Sequence, residues 1–244
     1  MDKIKICCPG GSTAVLHASQ VLKSQGFHVA TQPDPETRHL LLPVPSFPMA
    51  ENIYATLVDQ LPADTLVSGG NLDGHVSGFM TVDFLKDPYY LAENAAITAN
   101  CALRIVKNQL KTSIHECQTL VIGWGRIGKC LCRLLEAEGA NITVAARKDT
   151  DRAMVGALGC RAIAITEAGK ELLRYNIIIN TVPEMVLPRM VTQTGCIILE
   201  LASKPGMSGA NIIDGRGLPN RMAPEESGNL IAQTFLRLSH RKEF

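Results

Sequence analysis

The most constraining feature of this 244-residue chain is the segment VIGWGRIGKC, in which an apolar run meets three glycines and then a helical pattern. Gly123, Gly125 and Gly128 have the spacing GxGxxG. That spacing alone is weak evidence, but here it follows a predicted strand, begins a predicted helix and precedes a second predicted strand. The context predicts a dinucleotide-binding βαβ unit. A tight turn without a ligand is the alternative.

Each glycine then has a physical task. Gly123 forms the tight turn, Gly125 lets the backbone approach a pyrophosphate, and Gly128 allows the helix to pack on the strand. The helix offers free N–H groups and the positive end of its dipole to the phosphates. We therefore predict that the whole turn contacts the cofactor: Gly123, Trp124, Gly125, Arg126, Ile127 and Gly128.

The end of the second strand, in the segment NITVAARK, identifies the dinucleotide. A carboxylate that binds the ribose of NAD is expected roughly 20 residues beyond the last glycine. Here Ala146 occupies that position, and Arg147 and Lys148 follow. A guanidinium suits a 2′-phosphate, and a carboxylate would repel one. The sequence predicts NADP as the cofactor, with solvated surface charge as the alternative.

Two later strand ends are expected to line the same site, because ligands bind at the carboxyl ends of parallel strands. The segment NTVPEMV follows one apolar strand, and LASKPG follows the next. Ordinary loops are the alternative. The residues predicted to contact the cofactor there are Thr181, Val182, Pro183, Ala202, Ser203 and Lys204.

The chain-wide pattern predicts an α/β fold with two domains joined by a long helix. Residues 1–92 are expected to form a smaller N-terminal α/β domain on the substrate side. Residues 93–225 show strands alternating with helices, AGKELLRY among the latter, which indicates a doubly wound parallel Rossmann sheet. Tyr89 to Leu110 contain no Gly or Pro and are predicted to be the joining helix. Residues 226–244 are expected to form a C-terminal helix that packs back toward the N-terminal domain.

Composition excludes several classes of protein. The formal net charge is only +1, which gives no bulk attraction to nucleic acid or an anionic membrane. No run of about 18 apolar residues suggests a membrane span, and no signal peptide is evident, so we expect a cytoplasmic protein. The eight cysteines show no paired CxxC spacing and are expected to be reduced thiols. The histidines form no HxxxH pair, so no metal site is predicted.

The predicted layout is also that of 2-hydroxyacid dehydrogenases, but their acid–base residues are missing. Such enzymes need an arginine for the substrate carboxylate after a late strand and a His–carboxylate pair for proton transfer. The late strand here enters LASKPG, which contains no arginine. The later segment RMAPEESG contains no histidine. Oxidation of a hydroxyacid is therefore not the predicted reaction.

A narrower resemblance covers about residues 40–238. The segments NTVPEMVL, LASKPG and GLPNRMAPEESG, in the same order and spacing, resemble the family of the dipicolinate synthase A subunit and are not general dinucleotide motifs. The resemblance implies NADP-dependent oxidation of a dihydrodipicolinate-type intermediate to dipicolinate, in the dipicolinic acid biosynthesis of sporulating bacteria. It also implies a flavoprotein-like second subunit, and we expect a homo-oligomer.

A small dicarboxylate substrate needs N–H groups and cations. Two glycine turns and two cations are candidates for binding it, with structural turns and solvated charge as the alternative. The candidate substrate-binding residues are Gly10, Gly11, Ser12, Ser68, Gly69, Gly70, Lys204 and Arg221.

The joining helix departs from the family at one position, which matters if the family's glutamate there accepts a proton or anchors the substrate. The family reads Asn, then Thr, then Glu-Gly; here Asn94 and Thr98 are kept, and Asn100 with Cys101 replaces the acid and the glycine. We hypothesise that Asn94 and Thr98 face a cleft between the domains; helix capping and packing are the alternative. Because Asn100 cannot supply a carboxylate, a non-catalytic NADP-binding subunit or sensor stays open, as does a paralogue with another carboxylate substrate.

The proton acceptor is not identified by this resemblance. The candidate catalytic residues are Asn94, Thr98, Asn100, His75 and Lys204. His75, in the glycine-rich segment GGNLDGHVSG, can act as an acid or base if it lies near a cleft. A hydrogen-bonded loop histidine is the alternative.

Overall fold

The computed structural model describes residues 4–48 and 50–239. The ends of the predicted first and last segments, residues 1–3 and 240–244, lie outside the described residues. The described chain forms two compact units. Unit 1 consists of the described residues up to Ile97 and those from Pro219 onward, and unit 2 consists of Thr98–Leu218.

Unit 1 contains a five-stranded sheet in which every strand pair is parallel, in the order β2-β1-β3-β4-β5. The strands are β1 Lys5–Cys7, β2 His28–Ala30, β3 Thr37–Leu41, β4 Leu66–Gly69 and β5 Met80–Asp83. The helices that connect or follow these strands are α1 Thr13–Ser24, α2 Glu51–Leu57, the 3₁₀ turns Val58–Gln60 and Phe84–Lys86, and the start of α3 Pro88–Gln109.

The apolar core of unit 1 has two parts. The first includes Ile6, Leu22 and Phe235, which lie on β1, α1 and the last helix. The second includes Leu40 and Tyr54, from β3 and α2. The last two helices are α6 Leu218–Met222 and α7 Pro224–Ser239.

Helix α7 packs closely on α1. At Gly228 an added Cβ would lie 2.6 Å from the carbonyl oxygen of Ala14 and 2.7 Å from the Cβ of His17, so only glycine permits this approach. The end of α7 is also tied to the beginning of α3, because the guanidinium of Arg237 donates a hydrogen bond of 3.2 Å to the carboxylate of Asp87. The C-terminal helix is therefore part of unit 1.

Unit 2 contains a six-stranded sheet, also parallel throughout, in the order β11-β10-β9-β6-β7-β8. The strands are β6 Gln118–Ile122, β7 Asn141–Ala146, β8 Arg161–Ala164, β9 Ile177–Asn180, β10 Ile197–Glu200 and β11 Ile212–Asp214. The helices between them are α4 Arg126–Ala137, α5 Asp149–Ala157 and a 3₁₀ segment, Ile165–Arg174.

The strand order of unit 2 confirms the predicted doubly wound parallel fold. From β6 the chain builds β7 and β8 on one side, then crosses over and builds β9, β10 and β11 on the other. The order reverses between β6 and β9, and ligands of such sheets bind at the carboxyl ends of the strands beside this switch point. The buried strands read as apolar runs because both faces of the sheet are covered.

Local predictions differed from the structure in three places. The segment AGKELLRY lies in a 3₁₀ stretch rather than an α-helix, and Glu171 within it has a non-helical φ of −124°. Helix α2 and strand β5 were not predicted. Among the described residues, no helix combines the length and apolar character that crossing a membrane requires.

Candidate functional site

The glycine turn after β6 has the geometry that its sequence predicted. Gly123 has φ +105°, and an added Cβ there would clash with the Thr181 side chain. At Gly128 an added Cβ would clash with the carbonyl oxygen of Gly123, so the first turn of α4 lies directly against the end of the strand. These two glycines are required by the protein's own backbone.

Gly125 is different, because nothing in the protein occupies the space where its Cβ would be. No heavy atom lies within 4 Å of that position, and its φ of −81° is ordinary for any residue. Gly125 is the N-cap of α4, and no side chain caps the helix there. The N–H groups of the first turn thus keep hydrogen-bonding capacity that an anion can use. The turn fits a pyrophosphate: open space over Gly125, at the positive end of a 12-residue helix.

The residues around this turn are accessible to a ligand. Arg126 is exposed, and Trp124 and Ile127 are half-buried. The Lys129 ammonium lies 5.8 Å from the centre of the Trp124 ring, a cation–π contact. The predicted cofactor residues of this segment therefore lie in one turn, with open space at the Cβ position of Gly125.

Arg147 follows β7 immediately and points into solvent. Ala146, in the position of the missing carboxylate, is buried at 1% exposure, whereas the Arg147 side chain is 62% exposed. The Arg147 guanidinium forms an ion pair with the carboxylate of Glu184. Lys148 is exposed and is the N-cap of α5. The two cations lie at the carboxyl end of the strand beside β6.

The backbone that carries Arg147 is fixed by a second arginine. The guanidinium of Arg152, in α5, donates to the carbonyl oxygens of Ala146 and Arg147 at 3.0 and 2.8 Å. The same guanidinium is paired with Asp149. The backbone at the end of β7 is therefore held by α5, and the Arg147 side chain is left to face outward.

The loops after β9 and β10 are joined by a buried carboxylate. Glu200 is 4% exposed, and its oxygens accept hydrogen bonds from the Asn180 side-chain amide and from the backbone N–H groups of Ala202 and Gly206, at 2.8, 3.0 and 2.8 Å. The Asn180 amide also donates to the Val182 carbonyl oxygen at 2.9 Å. One buried pair thus organises both predicted nicotinamide-side loops.

The predicted residues in these loops have different environments. Thr181 is half-buried, and its hydroxyl and backbone N–H both donate to the Ile122 carbonyl oxygen at 2.9 Å, which ties this loop to the end of β6. Pro183, Ser203 and Lys204 are exposed. Val182 is half-buried and Ala202 is buried, so their side chains serve packing as well.

The three polar candidates of the joining helix lie along α3. Asn94 is half-buried, Thr98 is 6% exposed, and Asn100 is exposed. Asn94 and Thr98 are four residues apart and so lie on one face of the helix. Asn100 lies on another face of the same helix.

The candidate substrate residues of unit 1 follow the carboxyl ends of β1 and β4. Gly10 and Gly11 have φ of +91° and +101°, and the Ser12 hydroxyl accepts from Val15 N–H at 3.2 Å as the N-cap of α1. This is the structural role that turn and cap residues ordinarily have. A substrate contact from this turn would come from the backbone of Gly10 and Gly11 or from the Ser12 hydroxyl, which accepts from Val15 and keeps an O–H to donate.

The second glycine turn of unit 1 is closed by a serine that was not predicted. Ser46 is buried; its hydroxyl donates to the Pro43 carbonyl oxygen at 2.7 Å and accepts from Gly70 N–H at 3.0 Å. An added Cβ on Gly69 would clash with this hydroxyl. Ser68 is fully buried, so its side chain is not exposed to a ligand in this structure.

The remaining candidates lie on the surface of unit 1. His75 is exposed and stacks on the ring of Phe47, with centroids 4.5 Å apart and planes within 4°. Arg221 is exposed on α6. In the part of the chain that the structure describes, no group of three or more His, Cys, Asp or Glu is placed to hold a metal ion.

The structure therefore brings the predicted cofactor residues together at the carboxyl ends of neighbouring strands. The glycine turn, Arg147, the Thr181 loop and the Ala202 loop follow β6, β7, β9 and β10, which are neighbours in the sheet. Sequence reasoning missed Asn180, Glu184 and Glu200. Two of them carried a signal, since Asn180 and Glu200 are the lone polar residues at the ends of the apolar strands IIIN and IILE.

Comparison with known proteins identifies the relatives of this chain. No protein-family model matches it. Among curated proteins it is 29% identical over 156 residues to the dipicolinate synthase A subunit of Bacillus subtilis (strain 168). The chain is thus similar in sequence to a dipicolinate synthase A subunit. The predicted resemblance is confirmed, although the match covers 59% of this chain and spans about half, 52%, of the curated relative.

Solved structures extend the likeness over the whole fold. The crystal structure of the dipicolinate synthase A subunit from Bacillus halodurans superposes with a TM-score of 0.80 at 21% identity, covering 96% of this chain and 97% of that one. The corresponding structure from B. subtilis gives 0.78 at 20% identity, covering 99% and 97%. D-lactate dehydrogenase from Escherichia coli gives 0.63 at 12% identity, covering 98% and 97%. At these identities the structures establish the fold alone, an α/β fold of Rossmann type.

Proposed function

We propose that this protein is an NADP-dependent oxidoreductase of the same type as the dipicolinate synthase A subunit. The observation that carries the proposal is the placement of Arg147 at the carboxyl end of β7, beside the open glycine turn of α4 and with no carboxylate at Ala146. In this arrangement the first turn of α4 would hold the pyrophosphate and Arg147 the 2′-phosphate. Lys148 adds a second positive charge at the same edge.

The loops after β9 and β10 would line the nicotinamide side. The strand β9 lies beside β6, and β10 lies beside β9. The loop after β9 contains Thr181, Val182 and Pro183, and the loop after β10 contains Ala202 and Ser203. Asn180 and Glu200 hold the backbones of these two loops through hydrogen bonds. The loops are therefore already ordered and need not become ordered when the cofactor binds. Lys204, which is exposed in the loop after β10, is a candidate for binding one substrate carboxylate.

The proposed substrate is a dihydrodipicolinate-type intermediate, a small dicarboxylate. When bound, NADP would supply the acceptor for a hydride that leaves a ring carbon of such a substrate. A proton must also leave the ring, and the resulting aromatic dicarboxylate makes the reaction favourable. The residues we propose for this chemistry are Asn94, Thr98, Asn100, His75 and Lys204, with Arg221 and the turns at Gly10–Ser12 and Ser68–Gly70 contributing to carboxylate binding.

The curated relative is named as one subunit of a synthase, which supports a second subunit as a partner for this chain. We propose a flavoprotein-like partner because the sequence resemblance implies one. A homo-oligomer is also proposed.

One observation favours a different function for the chain. Asn100, exposed on α3, is neutral where the family has an acid, so a non-catalytic NADP-binding subunit or sensor is the second candidate.

Two experiments test these proposals separately. For the cofactor, titration of the wild-type protein and Arg147→Asp with NADPH and with NADH should show tighter binding of NADPH by the wild type and loss of that preference in the variant. A wild type that prefers NADH contradicts the assignment.

For the reaction, NADPH formation is followed by absorbance with dihydrodipicolinate generated in situ, with and without the second subunit. Turnover in either case supports the enzyme, and none in both supports the sensor.

A further inference from the structure

The ion pair between Arg147 and Glu184 connects the loops that flank the glycine turn. Ile122, the last residue of β6, is paired with Ala145 of β7 on one side and with Asn180 of β9 on the other. Neighbouring strands lie about 4.8 Å apart, so β7 and β9 are about 10 Å apart. The side chains of Arg147 and Glu184 therefore meet beside the turn that follows β6.

The position of Glu184 is fixed by the protein interior. At Gly206 an added Cβ would lie 2.7 Å from the carbonyl oxygens of both Glu184 and Val182, so the two loops are in close contact at this point. The buried carboxylate of Glu200 holds Gly206 through a 2.8 Å hydrogen bond from its N–H group. On the other side, Arg152 holds the Arg147 backbone. The ion pair thus joins two anchored backbones.

We propose that Glu184 is a specificity-determining residue that competes with the cofactor's 2′-phosphate for Arg147. This inference rests on the proposed function, because it requires a 2′-phosphate at Arg147. The side chains of Arg147 and Glu184 are 62% and 63% exposed, so water screens the pair and it opens at low cost. A phosphate offers more negative charge and a bidentate acceptor, and it displaces the carboxylate.

The exchange has two consequences. Without a 2′-phosphate, Glu184 neutralises Arg147, and a ligand with only a 2′-hydroxyl has no anion to exchange for the carboxylate. With a 2′-phosphate, the binding free energy is reduced by the free energy of the ion pair that must open. Glu184 therefore lowers the affinity for NADP. It leaves the affinity for ligands without the 2′-phosphate unchanged.

Adenosine 2′,5′-bisphosphate and adenosine 5′-monophosphate test this exchange, because they differ only in the 2′-phosphate. Dissociation constants are measured by calorimetry for the wild type, Glu184→Gln, Arg147→Ala and the double variant. The matched control is Glu167→Gln, which removes a carboxylate from the exposed pair with Lys170 in the same unit.

Glu184→Gln is expected to tighten bisphosphate binding about two- to fivefold, the range that an exposed ion pair supports, and to leave monophosphate binding unchanged. In the Arg147→Ala background the gain disappears, as a double-mutant cycle requires for a direct competition. Glu167→Gln is expected to bind both ligands as the wild type does.

Two results overturn the competition: equal tightening of both ligands, or a gain that persists without Arg147. If Arg147→Ala weakens the bisphosphate and Glu184→Gln changes nothing, the NADP site stands and only the role of Glu184 is wrong. If the wild type does not distinguish the two ligands, the proposed cofactor itself is wrong.

Discussion

The side-chain amide of Asn180 donates a hydrogen bond of 2.8 Å to the carboxylate of Glu200, and both side chains are buried. Asn180 ends β9 and Glu200 ends β10, so the bond joins neighbouring strands at the edge where the cofactor is proposed to bind. A buried carboxylate is stable only when its oxygens are hydrogen-bonded, and here Ala202 and Gly206 complete the set. The pair positions both loops.

Replacement of Glu200 by Ala should therefore destabilise the protein and weaken cofactor binding together. Three donors, on Asn180, Ala202 and Gly206, lose a buried acceptor, and we expect the free energy of unfolding to fall by about 3 kcal/mol. Urea denaturation measures the loss, and Glu167→Ala, at an exposed site, should stay within about 0.5 kcal/mol of the wild type. A Glu200→Ala protein of wild-type stability would show that the carboxylate is not needed for these loops.

The glycines of the turn should separate folding from binding. In Gly128→Ala the new methyl group meets the Gly123 carbonyl oxygen, which is backbone and cannot move aside, so we expect a loss of about 1–3 kcal/mol in stability together with loss of NADPH binding. Urea denaturation and calorimetric titration measure the two effects.

Gly125→Ala is the matched variant, because its methyl group meets no protein atom. Its stability should change by less than about 1 kcal/mol, the scale of an N-cap substitution. Its dissociation constant for NADPH should nevertheless rise about tenfold or more, because the methyl group occupies the space that the pyrophosphate needs. Wild-type affinity in Gly125→Ala would mean that the phosphates bind elsewhere.

The contact between α1 and α7 predicts a large effect from one methyl group in unit 1. Gly228→Ala brings a Cβ within 2.6 Å of the Ala14 carbonyl oxygen, and the free energy of unfolding should fall by about 1–3 kcal/mol. Gly156→Ala in α5 is the control, because its Cβ meets nothing within 4 Å and alanine favours a helix by about 0.5–1 kcal/mol. Hydrogen exchange in α1 should accelerate only in Gly228→Ala; equal exchange in both would contradict the close packing.

Buried thiols should make the fold less stable at alkaline pH. Burial raises the pKa of Cys132 to about 12 and that of Cys196 to about 11, from an ordinary value of 9.0. Above pH 9 the unfolded chain loses these protons and the folded chain keeps them until its own pKa is reached. The free energy of unfolding should therefore fall from pH 9 toward pH 12.

Urea denaturation across this pH range measures the slope, and Cys132→Ala should show a shallower decline because one of the titrating groups is removed. Native Cys132 should also resist iodoacetamide at pH 8 and react after unfolding. Rapid alkylation of the native protein, or equal slopes in the two proteins, would contradict the burial of this thiol.

The glycine turn could be predicted from sequence because its causes are local. Gly123 is required by its own φ of +105° and Gly128 by its contact with Gly123, both within one strand–turn–helix unit, and the strand lengths follow from apolar runs such as IIIN. Arg147 could be predicted in the same way, because it directly follows β7, a strand that its apolar sequence predicts. Parallel order followed from alternation of strands with helices.

The missed residues depend on which strands become neighbours. Glu184 meets Arg147 from 37 positions away, and Asn180 meets Glu200 from 20 positions away, only because β9 pairs with β6 and with β10. A local pattern marks Asn180 and Glu200 as lone polar residues at strand ends, but it does not say which residues meet. Strand β5, MTVD, was missed for a different reason: it is four residues long and follows a glycine-rich loop.

A crystal structure of the protein with NADP bound tests the assignment of Arg147. We predict that the 2′-phosphate lies within hydrogen-bond distance of the Arg147 guanidinium, that Glu184 has turned away from it, and that the pyrophosphate contacts the first N–H groups of α4 over Gly125. A 2′-phosphate in solvent with the Arg147–Glu184 pair intact, or a dinucleotide bound away from the glycine turn, would contradict the proposed cofactor site.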